Sequence, residues 1–168
     1  MTKREWSPAL ELLEDVLQQF VAAGISRRPL EAVPDSDYGV LFAFDVTPCC
    51  VPLSSVAWLN PVTPGLFFRC TIARATPEEA RPRVTALLNS LNHGLPAGAF
   101  VLDPTSGAVL FKHAVYFGAT PLTEDLVVGV LAPAAEFIGM HWQAVLEAVL
   151  GASAPTHTHA TTPIDGPA

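Results

Sequence analysis

The cysteines are the first side chains of this 168-residue chain that could bind a metal or act as nucleophiles. Cys49 and Cys50 are adjacent, and Cys70 stands alone further along the chain. Structural zinc sites pair their ligands at spacings such as CxxC, which this sequence lacks. Cys70 also falls on the apolar side of a predicted strand, where a cysteine behaves as a small hydrophobic residue. The pattern predicts free thiols in a reducing cytoplasm, no metal and no cofactor, with zinc or redox sensing as the weakest alternative.

The histidines offer a second kind of chemistry. His157 and His159 form a pair in the C-terminal segment, where a tail supplies no outer shell to orient a metal ligand. His113 lies on the inward side of a predicted strand and His141 on an apolar helix, so both are predicted to be hydrogen-bonded core histidines. The alternative is a small-molecule sensor or an unrecognised enzyme, in which His113, His141 and Tyr116 line a pocket between the sheet and the last helix.

Neither the carboxylates nor any known sequence motif indicates a further catalytic site. The acidic residues sit at predicted strand ends, turns and helix starts, where capping and the helix dipole account for them. The chain contains no GxSxG, Walker, GxGxxG or HExxH motif. The sequence therefore predicts a protein that is not an enzyme and has no catalytic residues.

Composition narrows the choice of partners. Half of the residues are hydrophobic and 15% are charged, with 9 Lys and Arg against 16 Asp and Glu, for a net charge of −7. This balance argues against direct binding to nucleic acid. Every charged residue after Lys112 is acidic, which favours a basic surface on any charged partner. The longest charge-free stretch, residues 46–68, contains four prolines, so no membrane span is expected.

Hydrophobic periodicity predicts the elements that must position these residues. Helices are expected at residues 7–23, from the capping box Thr76-Pro77-Glu78-Glu79 to Gly94, and at 124–150 with an interruption at Pro133. Strands are expected at 40–46, 53–59, 66–74, 99–103 and 108–117, with a possible edge strand at 30–33. The result is an α+β domain over residues 1–150, an antiparallel sheet with flanking helices in the order α-β-β-β-α-β-β-α. A flexible tail rich in His, Thr and Pro is expected over 151–168.

Three segments carry a resemblance to a known family: residues 88–103 (LNSLNHGLPAGAFVLD), residues 107–111 (GAVLF) and Met140-His141-Trp142. Together they resemble the YbjN family of bacterial sensory transduction regulators. The order of the elements is similar to the type III secretion chaperone fold, whose members form homodimers. The resemblance implies a cytoplasmic, chaperone-like or regulatory protein-binding module that acts as a homodimer on another protein.

The resemblance also suggests where contacts would be made. A client segment would lie on apolar surface of the first helix and the sheet, and the first helix would contribute Leu12, Val16 and Phe20. The last helix is apolar on most of its circumference, which favours a dimer interface on that helix. Chaperone-like dimers also use the second helix. The expected interface residues are Phe137, Met140 and Trp142 on the last helix and Val84, Leu88 and Leu91 on the second.

Overall fold

Three helices and six strands make up the described chain. The structure is a computed structural model that describes residues 7–26, 28–35, 39–48, 51–60 and 62–151. The elements are α1 (Ser7–Ala22), β1 (Glu31–Asp35), β2 (Gly39–Val46), β3 (Leu53–Asn60), β4 (Gly65–Ala73), α2 (Arg81–Gly94), β5 (Ala99–Leu102), β6 (Val109–Tyr116) and α3 (Glu124–Leu150). All strand pairs are antiparallel, in the order β1-β2-β3-β4-β6-β5. The α+β class and the antiparallel sheet are confirmed. The order differs from the prediction by one strand, because the edge segment near residue 33 is a full strand, β1.

One side of the sheet packs against the helices and forms the core. The strands alternate as their hydrophobic period predicts, so every second residue faces inward. Phe44, Phe68 and Phe111 are each no more than 2% exposed and share one hydrophobic cluster with Leu17 of α1 and Ile138 of α3. The predicted apolar faces of β2, β4 and β6 are therefore confirmed.

The start of α2 differs from the sequence prediction. The capping box at Thr76 does not form, because Pro77 leads instead into a short 3-10 turn at Glu78–Ala80. The helix begins at Arg81, with Ala80 as its N-cap and no side-chain cap hydrogen bond. The Thr76 hydroxyl is buried without a hydrogen-bond partner. Pro82 consequently lies in the first turn of α2, where a proline removes no helical hydrogen bond.

Helix α3 is continuous over its 27 residues, so the interruption predicted at Pro133 is wrong. Thr123 caps its start by accepting a hydrogen bond from the Leu126 amide at 3.3 Å, and Gly151 ends it with a left-handed backbone. The Arg83 guanidinium, reaching over from α2, donates to the carbonyl oxygens of the last turn of α3. Although α3 is long, no helix among the described residues is both long and apolar enough to cross a membrane.

Candidate functional site: the open face of the sheet

The second side of the sheet is not covered by any helix of the described chain. Its most prominent side chains come from β3, β4 and β6, and we call this surface the open face. Arg69, Lys112, Ala114 and Tyr116 are exposed on it, and Tyr116 retains 63% of its surface. Trp58 and Phe67 alternate with buried neighbours and are partly exposed. The sheet therefore presents large aromatic and cationic groups on the side away from its core.

The aromatic side chains of the open face contact one another in a line. Trp58 lies opposite Phe67 in the β3–β4 register, and their rings stack with centroids 5.4 Å apart at 16°. Tyr116 meets Phe67 edge to face, at 5.6 Å and 85°. Both geometries are those that aromatic quadrupoles favour. The three rings form one continuous platform across strands β3, β4 and β6.

Gly65 provides the space for this platform. It lies opposite Tyr116 in the β4–β6 register. A Cβ atom at this position would lie 3.0 Å from the Phe67 ring and 3.1 Å from the Tyr116 ring. Both distances are shorter than ordinary van der Waals contact. The missing side chain is thus what lets the two rings meet over the backbone.

Two cations lie beside the platform, directly opposite each other. Arg69 on β4 pairs in register with Lys112 on β6, and the Arg69 guanidinium carbon is 6.0 Å from the centre of the Trp58 ring. In the described part of the chain, neither cation is within ion-pair distance of a carboxylate. The pKa of Asp103 is lowered mainly by the hydrogen bond from the Thr105 amide, and the Lys112 charge adds a smaller effect. Like charges opposite each other destabilise a sheet, so this pair is unfavourable in the isolated chain.

Platform and cations together form an open groove. Its volume is about 440 Å³, and Trp58, Phe67, Arg69, Lys112 and Ala114 are among its lining residues. Phe68 and His113 also line the groove, and the His113 Nδ1 is engaged with the Val130 carbonyl oxygen of α3. Aromatic rings next to cations suit a ligand that combines apolar or aromatic groups with negative charge.

The structure places the predicted client residues of α1 differently from what was expected. Val16 is 1% exposed and belongs to the core of the chain itself, so it cannot offer surface to a client. Leu12 and Phe20 are partly buried and pack against the same core. For Val16 the reason is physical: the apolar stripe of α1 is the face that the helix needs for packing on the sheet and α3.

The predicted dimer residues fall into two groups. Val84 and Leu88 of α2 are 0% and 3% exposed and lie in the core, so their apolar character needs no second copy to explain it. Leu91, Phe137 and Trp142 are partly buried against the core. Met140 of α3 is 56% exposed. Of the six predicted residues, only Met140 has more than half of its surface exposed.

The three residues of the alternative pocket do not converge. His113 faces the helices, and its Nδ1 lies 3.2 Å from the Val130 carbonyl oxygen of α3. Tyr116 follows His113 by three residues on β6, and because side chains alternate along a strand, it points to the open face. The His141 ring packs edge-on against Phe100 at 6.0 Å. The predicted hydrogen bond is confirmed for His113, but its side chain is only partly buried and lies at the edge of the core. The three side chains do not form one site.

A cleft does lie between the end of β2 and α3. Its volume is about 260 Å³, and it is lined by small and apolar residues with Thr47 as the polar member, including Gly24, Pro48, Ala135 and Gly139. Among the described residues, its lining contains no His, Cys, Asp, Glu or Lys, and the buried Thr47 hydroxyl has no hydrogen-bond partner.

Cys70 lies in the core, as predicted from its strand face. It is 0% exposed, and burial raises the pKa of its thiol to about 12 despite a hydrogen bond with Ser55 that lowers it. A thiol in such surroundings is unreactive at neutral pH. Among the described residues, no group of three or more His, Cys, Asp and Glu side chains could hold a metal ion. Cys49, Cys50, His157, His159 and the predicted tail after Gly151 lie outside the described residues.

Sequence reasoning missed the residues of the open face. The hydrophobic period of β4 and β6 identifies their inward residues but gives no role to the alternate positions Phe67, Arg69 and Lys112. The signal was present in the strand Leu66-Phe67-Phe68-Arg69, in which a bulky aromatic residue occupies a position that the alternation assigns to the solvent side. Which such residues lie side by side depends on strand order, and this was not readable from the sequence.

The comparisons with known proteins contribute no relative to this description. No protein-family model matches the chain, and no curated protein matches it. The geometry of the open face is therefore the main guide to what the protein binds.

Proposed function

We propose that the protein is a non-catalytic protein-binding module that holds a segment of another protein on the open face of its sheet. The observation that carries this proposal is the Trp58–Phe67–Tyr116 platform, which lies on a face that no described helix covers. Aromatic residues with an adjacent Arg are the residue types most enriched at the energetic centres of protein interfaces. A chain selected only for solubility has no reason to keep three contacting rings there.

The surroundings of the platform support binding over catalysis. The imidazole among the groove's lining residues, His113, is engaged through Nδ1 with the backbone of α3. The resemblance of residues 88–103 to the YbjN family and the chaperone-like order of elements fit an adaptor or chaperone-like role in a reducing cytoplasm. The free, buried Cys70 fits the same compartment.

The experiment is a comparison of proteins captured from native lysate by the full chain and by surface variants. Phe67→Ser and Tyr116→Ser interrupt the platform, whereas Val62→Ser changes an apolar residue that is 87% exposed in the β3–β4 turn. Circular dichroism shows whether each variant is folded. We expect at least one protein that the wild type and Val62→Ser retain and both platform variants lose. A capture profile that is the same for all four proteins overturns the proposal.

The homodimer is a second part of the proposal and uses a different surface. Met140 exposes 56% of its area on α3, between the partly buried Phe137 and Trp142. We expect sedimentation to give twice the mass of one 17.8 kDa chain, and Met140→Glu to shift the protein towards the monomer. Val62→Glu is the matched control, because it places the same charge on an exposed apolar residue elsewhere. A wild-type monomer at micromolar concentration overturns this part alone.

A further inference from the structure

We infer that the occupant of the open face is an acidic peptide segment of a different protein, whose carboxylates lie over Arg69 and Lys112 and whose apolar side chains lie on the aromatic platform. This inference rests on the proposed protein-binding function and names the chemistry of the partner. It reverses, for this face, the expectation of a basic partner that the net charge of the chain suggested.

The cations of the open face have no ion-pair partner among the described residues, whereas three other arginines have structural partners. Arg28 pairs with Glu31, Arg81 donates to the Pro104 carbonyl oxygen at 3.2 Å, and Arg83 donates to the end of α3. Arg69 and Lys112 have no described carboxylate within ion-pair distance and lie opposite each other. A carboxylate between them would turn a repulsive pair into two attractive contacts.

The geometry of a cross-strand pair suits one shared carboxylate. Residues that lie opposite each other have Cβ atoms about 5 Å apart, so both long side chains can reach the same anion. Arg69 also lies against the Trp58 ring, which orients its planar guanidinium. An acidic residue of the partner would therefore bind beside the platform, with a neighbouring apolar or aromatic residue over Phe67 and Ala114.

A second copy of this chain is a poorer match for the same face. In a two-fold dimer through the open face, the surface would meet itself, as isologous interfaces require. Where the two-fold axis passes through the cation pair, the cations of each copy approach those of the other and lose water without gaining a counter-charge. The part of the open face around Arg69 and Lys112 is thus better suited to a partner of opposite charge than to its own copy.

Charge along the sheet also disfavours a nucleic acid. Glu31 and Asp45, which belong to β1 and β2, share the open face with Ala43, while the two cations lie on β4 and β6. A phosphate backbone needs a continuous basic track, whereas here Glu31 is paired with Arg28 and Asp45 adds a negative charge. A peptide can place its acidic residues over β4 and β6 alone.

The test is a selection from a displayed library of random peptides on the immobilised full chain. The parallel targets are Phe67→Ser, Arg69→Gln, Lys112→Gln and, as the matched control, Arg74→Gln, which removes an exposed arginine outside the groove. The strongest peptides are then synthesised, and their affinities for each variant are measured by fluorescence anisotropy. Labelled oligothymidylate is titrated in the same assay.

We expect the selected peptides to be rich in Asp and Glu next to aromatic or aliphatic residues. Their affinity should fall about tenfold with Arg69→Gln or Lys112→Gln and should be unchanged with Arg74→Gln. Peptides that depend on Phe67 but are neutral or basic overturn the acidic partner and leave the protein-binding proposal standing. No enrichment over Phe67→Ser overturns both. Oligothymidylate that binds through Arg69 and Phe67 assigns the face to nucleic acid instead.

Discussion

Asn92 of α2 forms hydrogen bonds with both backbone groups of Phe100 on the edge strand β5. Its Nδ2 donates to the Phe100 carbonyl oxygen and its Oδ1 accepts from the Phe100 amide, each at 2.8 Å. The amide side chain thus occupies the place of a neighbouring strand and satisfies an edge that would otherwise be unpaired. Both residues belong to the segment 88–103 that carried the family resemblance, so this segment has a structural role in joining α2 to the sheet.

Replacing Asn92 should separate α2 from β5. Asn92→Ala leaves the Phe100 amide and carbonyl without partners, and we expect the free energy of unfolding to fall by about 1–3 kcal/mol. Asn89→Ala is the control, because Asn89 is exposed on the same helix. Urea denaturation measures both variants. Equal values for the two would show that the Asn92 hydrogen bonds contribute nothing to stability.

Reversing the charge of Lys112 in the Arg69–Lys112 pair should raise the stability of the protein while removing its binding of acidic peptides. Lys112→Glu turns a repulsive cross-strand pair into an attractive one, and we expect the free energy of unfolding to rise by up to about 1 kcal/mol. The same change should abolish binding of acidic peptides selected on the wild type. Lys112→Gln, which only removes the repulsion, should give a smaller gain in thermal and urea denaturation. A variant Lys112→Glu that is less stable than Lys112→Gln would contradict the repulsion argument.

Gly98 lies so close to the Phe111 ring that there is no room for a side chain at this position. Its φ is +74°, and a Cβ atom there would lie 2.5 Å from Cζ of Phe111, whose ring packs against Phe68 and Phe100. We expect Gly98→Ala to lower the free energy of unfolding by roughly 2–4 kcal/mol, from backbone strain and overpacking together. Gly118→Ala is the matched control, since its φ is +57° with no atom within 4 Å of the added Cβ. The difference between the two, in urea denaturation, isolates the contact with Phe111; no difference would refute that contact.

The buried thiol of Cys70 should make stability depend on alkaline pH. Its pKa is raised from 9.0 to about 12 by burial, so above pH 9.0 the unfolded chain loses the proton that the folded chain keeps. The free energy of unfolding should therefore fall as pH rises through this window, by up to about 1.4 kcal/mol per pH unit. Cys70→Ala lacks this contribution, so its stability should fall less steeply. Parallel slopes for the two proteins would show that Cys70 does not ionise on unfolding.

Reactivity gives a second measurement on the same residue. Iodoacetamide should leave Cys70 unmodified in the native protein and should modify it in guanidinium chloride, because the alkylating species is the thiolate. Peptide mass spectrometry distinguishes Cys70 from Cys49 and Cys50. Modification of Cys70 under native conditions at a rate near that of the unfolded chain would contradict its placement in the core.

Local sequence patterns predicted most of the elements and failed where two patterns competed. The alternation in β4 and the long apolar helix α3 were located correctly, since hydrophobic period and burial have the same cause. The capping box at Thr76 was wrong because Pro77 directs the chain into a 3-10 turn before the helix begins. The apolar residues of α1 and α2 were identified, but their stripes could not show whether a residue such as Val16 or Val84 faces the core or a partner.

The amino-acid sequence by itself determined which residues are apolar, in which period they recur and therefore which side of each strand is buried. It also determined the negative net charge and the absence of known catalytic motifs. Only the tertiary structure decided that Trp58, Phe67 and Tyr116 form one platform and that Arg69 lies opposite Lys112. The reason is physical: these residues lie on three strands, two of them separated along the chain by α2 and β5, and strand order and register are set by packing of the whole sheet.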